Sequence, residues 1–183
     1  MENVVKKYNY IVGETAYHRL ALNTFEDYTW NGNEIAKIVI EDSCEKVEWK
    51  KGLGLIGWVG VGKTHLLIAL YKERMWRAVN EDSDIPVWLS FQDALELYKD
   101  KEQLWEVLNR GKIIFIDDLF CTGYGDIEEH LIRDIVFRCY DGNKILCFTT
   151  NILIDDWRID IRVKDRIREM CLMVDIMGES HRK

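Results

Sequence analysis

The chain has 183 residues, 48% of them hydrophobic, which supplies one well-buried core and hardly two. Its 25 basic and 32 acidic residues leave a formal charge of −7, which argues against nucleic-acid binding over the whole surface and leaves room only for a local basic strip. A single proline, Pro86, no Ser/Gly/Pro-rich tract, and no apolar run of membrane-spanning or secretion-signal character point to one soluble, intracellular and cytoplasmic domain with no membrane partner.

Residues 1–30 are aromatic-rich and irregular, with Tyr8, Tyr10, Tyr17, Phe25, Tyr28 and Trp30. They read as a segment that packs on the domain or on a partner, with the domain proper spanning 31–183. Asn31-Gly32 is a turn signal, and Asn33 offers the cap of a helix to about Trp49. A strand over 53–57, a glycine-rich loop and a helix from Lys63 to about Asn80 come next. PVWLS (86–90) is a second strand, and 91–109 reads as one or two helices. KIIFID (112–117) is a third strand, 126–140 a helix ended by Asp141-Gly142-Asn143, and KILCFTTN (144–151) a fourth strand. A short helix near 154–157, a helix over 160–170 and a strand over 171–177 close the chain.

The strands are almost unbroken apolar runs alternating with helices. That pattern predicts an α/β fold, a three-layer sandwich around a parallel sheet of about five strands, and GWVGVGKT after the first of them makes that fold a P-loop NTPase. Ligands of such sheets collect at the carboxyl ends of the strands. Three polar groups fall there: the glycine loop, Asp117-Asp118, and residues 149–151.

Gly57, Gly60, Gly62, Lys63 and Thr64 fit G-x-x-x-x-G-K-[ST] between a strand and a helix. The loop residues Gly57, Trp58, Val59, Gly60, Val61 and Gly62, with Lys63, Thr64 and His65 opening the helix, form the expected cofactor-binding stretch for ATP or ADP. Main-chain amides wrap the β-phosphate, Lys63 bridges the β- and γ-phosphates, and the Thr64 hydroxyl ligates Mg²⁺. Trp58 is unusually bulky inside such a loop and is expected to pack on an adjacent element. Asp117 is placed to hold Mg²⁺, and Asp118 to orient the attacking water, a shorter acid than the Glu of many ATPases. Thr149, Thr150 and above all Asn151 end the fourth strand within reach of the γ-phosphate or that water. Arg162, Lys164, Arg166 and Arg168 share one helix. An arginine from it, donated to a neighbouring subunit, would neutralise charge developing on the γ-phosphate. With Arg158, Arg182 and Lys183 they also make the local basic strip.

The five cysteines (44, 121, 139, 147 and 171) show no C-x-x-C spacing. Neither zinc nor a disulfide is expected, and Cys139, Cys147 and Cys171 read as reduced core residues.

GWVGVGKTHLLIAL, KIIFIDDLF, FTTN, RVKDRIREMC and GESHR, in that order, resemble the AAA+ ATPase domain of DnaC/DnaI-type bacterial helicase loaders, a domain shared with IstB-type transposition ATPases. TFEDYTWNGNE (24–34) resembles the lead-in of such domains, and the likeness covers roughly 20–183. It implies Lys63 and Thr64 as the Walker A pair, Asp117 and Asp118 as the Walker B pair, and Asn151 as sensor 1. Arg162 and Arg166 match the arginines of the family's G-E-R-x-x-x-R box, although Asp160-Ile161 stands where Gly-Glu is usual. Arg182 matches the sensor 2 arginine. The resemblance implies a replicative hexameric helicase and single-stranded DNA as partners, and self-association through an arginine finger. Loaders of this kind carry a helicase-binding N-terminal domain, and the few residues before the likeness suggest either a minimal form such as a phage or mobile element encodes or a stand-alone AAA+ domain. Three other readings stand beside it: a transposition helper ATPase, a weakly hydrolysing nucleotide-gated module acting on a replication protein, and a small-molecule or nucleotide kinase, which would need neither Asn151 nor the late arginines.

Overall fold

The computed structural model describes residues 24–30, 32–45, 49–80, 84–121, 123 and 125–180. Within them the elements run α1 (Glu34–Glu45), β1 (Gly52–Ile56), α2 (Lys63–Asn80), β2 (Val87–Ser90), α3 (Phe91–Tyr98), α4 (Lys101–Asn109), β3 (Ile113–Leu119), α5 (Asp126–Asp141), β4 (Ile145–Thr150), a 3-10 turn (Ile154–Asp156), α6 (Ile161–Met170) and β5 (Cys171–Asp175).

Local chemistry sets several of these boundaries. Ser90 and Asp93 form a capping box, the Ser90 hydroxyl accepting from the Asp93 amide and the Asp93 carboxylate from the Ser90 amide. Asp100 then caps a fresh helix by accepting from the Glu102 amide, so 91–109 folds as two helices. Asp126, Glu128 and Glu129 place negative charge in the first turn of α5, opposite the positive end of its dipole. Asn143, in the left-handed region at φ 47°, follows its end.

The five strands form one parallel sheet in the order β2-β3-β4-β1-β5. This is the three-layer α/β architecture expected. Alternate side chains along each strand feed two cores. Leu53, Leu55, Phe115, Ile145 and Cys147 face α1 and α2, where Leu66, Leu67, Leu70 and Tyr71 meet them. Val87, Ile114, Ile116, Leu146 and Phe148 face α3–α6, meeting Leu104, Leu131, Ile135, Val163 and Ile167. Because both faces are covered, the strands are apolar throughout rather than alternating.

Cys139, Cys147 and Cys171 are buried in these cores, as expected, and Cys121 is exposed. Burial pushes the thiols of Cys139 and Cys147 up to about 12, and that of Cys171 well above its ordinary value. Burial, aided by Glu73, pushes Cys44 up to about 12 as well. Among the described residues no helix is long and apolar enough to cross a membrane.

At Gly52 the chain of β1 runs so near β4 that an added Cβ would stand 1.7 Å from the carbonyl oxygen of Leu146. Main chain cannot yield there without parting the strands. Gly52→Ala is expected to destabilise the fold by about 3 kcal/mol or more, read as a lowered urea midpoint with an unchanged slope.

Candidate nucleotide-binding site

The strand order brings the predicted groups together. Because β4 lies between β1 and β3, its tip is flanked on one side by the loop after β1 and on the other by the acids ending β3. The loop turns tightly through Gly60 (φ 88°) and Gly62 (φ 94°), a conformation open to glycine, and delivers Lys63 and Thr64 to the start of α2. A Cβ at Gly62 would fall 2.5 Å from the ring of Tyr28, whose hydroxyl donates to the Val61 carbonyl at 2.9 Å. The lead-in is thus fitted against the back of the loop. His65 also faces the lead-in, with Nε2 2.7 Å from the Thr24 carbonyl oxygen and its ring edge-on to Tyr28.

Lys63 is only 6% exposed. Its ammonium donates to the Trp58 carbonyl at 2.8 Å and to the Asn151 side-chain oxygen at 2.6 Å, and the Asn151 amide donates on to Asp118 at 3.4 Å. A second chain of contacts runs beside it. The Thr64 hydroxyl donates to Asp117 Oδ1 at 3.0 Å, and Thr149 donates to the same oxygen at 2.6 Å while accepting from the Asp118 amide at 2.7 Å. Asp118 sits at φ 61°, where the β3–β4 register slips between Ile116 and Leu119. The slip turns the second acid out of the strand plane, and Asp is among the residues that tolerate this region.

Burial is the main influence on the Asp117 carboxyl and pushes it above the ordinary carboxylate range. Hydrogen bonds from Thr149 and Thr64 oppose the rise, Asp118 adds to it, and Lys63 draws it back.

The residues present suit Mg²⁺ held on a nucleotide. Thr64 and Asp117 offer two hard oxygen donors side by side, one of them a carboxylate, and a magnesium ion takes its remaining ligands from phosphates and water. The described residues hold no group of three or more His, Cys, Asp or Glu placed to bind a metal unaided. The amides of the glycine loop and the N-terminus of α2 supply the anion-binding end.

Two expectations change. Trp58 does not pack on a neighbour: it is 81% exposed, and Val59 beside it is exposed too. Val61 fills the buried position of the loop, and a Cβ at Gly57 would fall 2.2 Å from the Ile176 carbonyl oxygen, so residues 58 and 59 arch outward. Two of the four basic side chains of α6, Arg162 and Arg168, are also paired with acids on or beside that helix. Arg162 is bonded to Asp160 (3.1 Å from Nε to each carboxylate oxygen), Arg168 to Asp155 and Asp165, and Lys164 to the Asp155 carbonyl. Arg166 lies over the rings of Phe137 and Tyr140. Arg182 and residues 1–23 lie outside the described residues.

Thr149 and Tyr28 carry more of this geometry than their sequence context announces. Thr149 is legible from the sequence only as a polar residue at a strand tip, not as the link between the two acids, and Tyr28 is one aromatic among several.

The family described as IstB-like ATP binding protein matches residues 14–183. The chain belongs to this IstB-like family. It is 26% identical over 132 residues to YqaM, an uncharacterized protein of Bacillus subtilis (strain 168), a match that takes in 69% of the chain and 42% of YqaM. The chain thus spans less than half the length of that relative. Among solved structures, DnaI superposes with a TM-score of 0.73 at 22% identity, over 92% of this chain and 95% of that one. The DnaC helicase loader gives 0.69 at 23% identity (87% and 99%). AMPPCP-bound DnaA of Aquifex aeolicus gives 0.67 at 20% identity, covering 86% of this chain and 50% of DnaA. The fold of this IstB-like domain is therefore that of AAA+ P-loop proteins.

A carboxyl whose folded-state value is raised is favoured in its protonated form. The resulting penalty is absent below the unfolded-state value, grows as pH rises past it, and is complete above the folded-state value. Asp117→Asn removes the charge and keeps the oxygen that Thr64 and Thr149 bond. Without nucleotide, the variant is expected to melt at an equal or higher temperature than the wild type at pH 7. That difference should shrink as pH is lowered through the carboxylate range, as thermal unfolding at the two pH values will show.

Proposed function

We propose that this chain is an ATPase of the helicase-loader type, hydrolysing ATP to ADP and phosphate and working with a replicative helicase on DNA. The observation that carries the reading is Asn151, whose side chain spans from the phosphate-binding Lys63 to Asp118. A loop that only bound nucleotide would not need a polar link between the lysine at the γ-phosphate and the acid placed to orient water.

In this mechanism the loop amides and Lys63 hold the β- and γ-phosphates, and Thr64 with Asp117 hold Mg²⁺, which when bound neutralises charge developing on the phosphates. Asp118 accepts a hydrogen bond from the attacking water and aligns it in line with the leaving oxygen. Asn151 reports the state of the γ-phosphate to Asp118, because Lys63 exchanges its Asn151 and Trp58 contacts for phosphate oxygens. Thr149 fixes the carboxylate of Asp117 and the main chain of Asp118 together. An arginine of α6, supplied by a second copy of the chain, meets the γ-phosphate from outside, and Arg182 serves as a further contact. Membership of the IstB-like family and the fold shared with the DnaC loader support this reading. The same membership makes a transposition helper the near alternative, and the partner that stimulates turnover separates the two.

The test is ATP turnover by the purified protein alone, with single-stranded DNA, and with a hexameric replicative helicase. Turnover should rise with DNA or helicase and vanish in Lys63→Ala and Arg166→Ala. A wild type that binds ATP at a rate neither partner changes, with Arg166→Ala indistinguishable from it, would instead mark a nucleotide-gated binding module.

Thr149→Val keeps the shape of the side chain and removes both hydrogen bonds of its hydroxyl. Turnover should fall on the order of 10- to 100-fold, since the acids lose their alignment. ATP affinity, set by the untouched loop and Lys63, should stay within about twofold by equilibrium titration.

A further inference from the structure

The basic side chains of α6 differ in what neutralises them. Arg162 is held by Asp160, which also caps the helix, and Arg168 by Asp155 and Asp165. Arg166 has no carboxylate within ion-pair distance among the described residues. Its guanidinium carbon lies 3.9 Å from the centre of the Phe137 ring and 5.0 Å from that of Tyr140. These two aromatics are three residues apart on α5, so they stand on one side of that helix and face α6 together. Tyr140 is in turn tethered to α6, its hydroxyl donating to Glu169 at 2.9 Å.

The kind of contact matters. A carboxylate would cancel the charge of an arginine and occupy its forked donors. An aromatic face attracts the cation through its quadrupole and leaves the N–H groups at the rim able to bond elsewhere. Arg166 is therefore immobilised without being neutralised, whereas Arg162 is both immobilised and neutralised. Phosphate binding by an otherwise mobile arginine must freeze several rotatable bonds. An arginine already resting on a fixed surface has lost much of that freedom beforehand.

We propose that Phe137 and Tyr140 are positioning residues that hold Arg166 ready for the γ-phosphate of ATP bound to a second copy of the chain. The proposal rests on the reading of the protein as a self-associating ATPase. It takes Arg166 as the arginine tested there and adds that its alignment comes from two aromatic rings of α5.

The experiment uses the full chain in a mixing assay. Arg166→Ala chains keep an intact loop and lack the arginine, and Lys63→Ala chains offer the arginine and cannot turn over. Mixed together they should recover turnover that neither shows alone. The Lys63→Ala donor is then given Phe137→Leu, Phe137→Tyr or Tyr140→Leu. Loss of one aromatic face (Phe137→Leu or Tyr140→Leu) should cut the recovered kcat about three- to tenfold, with KM for ATP unchanged, and Phe137→Tyr should restore it. Tyr140 is at the surface, so the donor altered there stays folded and decides the matter if Phe137→Leu melts early.

If the mixture recovers turnover and every donor is equally effective, the cradle is overturned and the ATPase reading stands. If the mixture recovers nothing while the wild-type protein turns over, the sharing of Arg166 between copies fails and the proposal fails with it. Donors that lower apparent ATP affinity in place of kcat would also overturn it, since alignment of an arginine at the γ-phosphate acts on the transition state.

Discussion

One hydroxyl, that of Thr149, 1% exposed, joins the two acids at the end of β3 by donating to the first and accepting from the main chain of the second. Asp117 is buried enough that its charge is costly, and the hydrogen bonds that offset this come from Thr149 and Thr64. Each bond also fixes a direction. With Asp117 aimed at Thr64, the two side-chain oxygens are held side by side at the start of α2. With the Asp118 amide aimed back at Thr149, the second carboxylate is turned toward Asn151 and Lys63. The arrangement exists because β4 is inserted between β1 and β3, so a single strand tip touches both halves of the site.

The loop is also held from outside the sheet. Asn33, buried, exchanges two hydrogen bonds with Met177, its amide donating to the carbonyl and its oxygen accepting from the N–H. This closes a ring in which the lead-in is fastened to the segment after β5. From that ring Tyr28 reaches the back of the loop, and a Cβ at Gly60 would meet Ser180 at 2.1 Å. The phosphate loop is thus gripped between segments that lie far apart in the chain, and its shape depends on both.

Much of this was legible before any coordinates. Unbroken apolar runs such as KIIFID gave the strands, because side chains buried on both faces of a sheet have no reason to alternate. The glycine loop carried its own geometry, since left-handed backbone at Gly60 and Gly62 excludes most other residues. What stayed hidden was set by contacts distant in sequence. No local pattern shows that Thr149 will stand beside Asp117, a matter of which strands pair. The helix break at Asp100 hinged on a single side chain choosing the Glu102 amide. On α6, Arg162 and Arg168 are paired with Asp155, Asp160 and Asp165, acids that look like ordinary surface residues until the chain folds back on itself. Trp58 was misjudged because size suggests burial, while Val61 already occupied the only inward position of the loop.

The distribution of thiols gives the molecule a chemical handle. A cysteine reacts as the thiolate, and at neutral pH burial leaves almost none of that form at Cys44, Cys139, Cys147 and Cys171. Cys121 is exposed, and its main-chain N–H donates to the carbonyl of Asp118 at 3.1 Å. A maleimide dye offered to the native chain is therefore expected to attach first at Cys121, three residues past the second acid. The unmodified sequence carries its own labelling position beside the candidate nucleotide site.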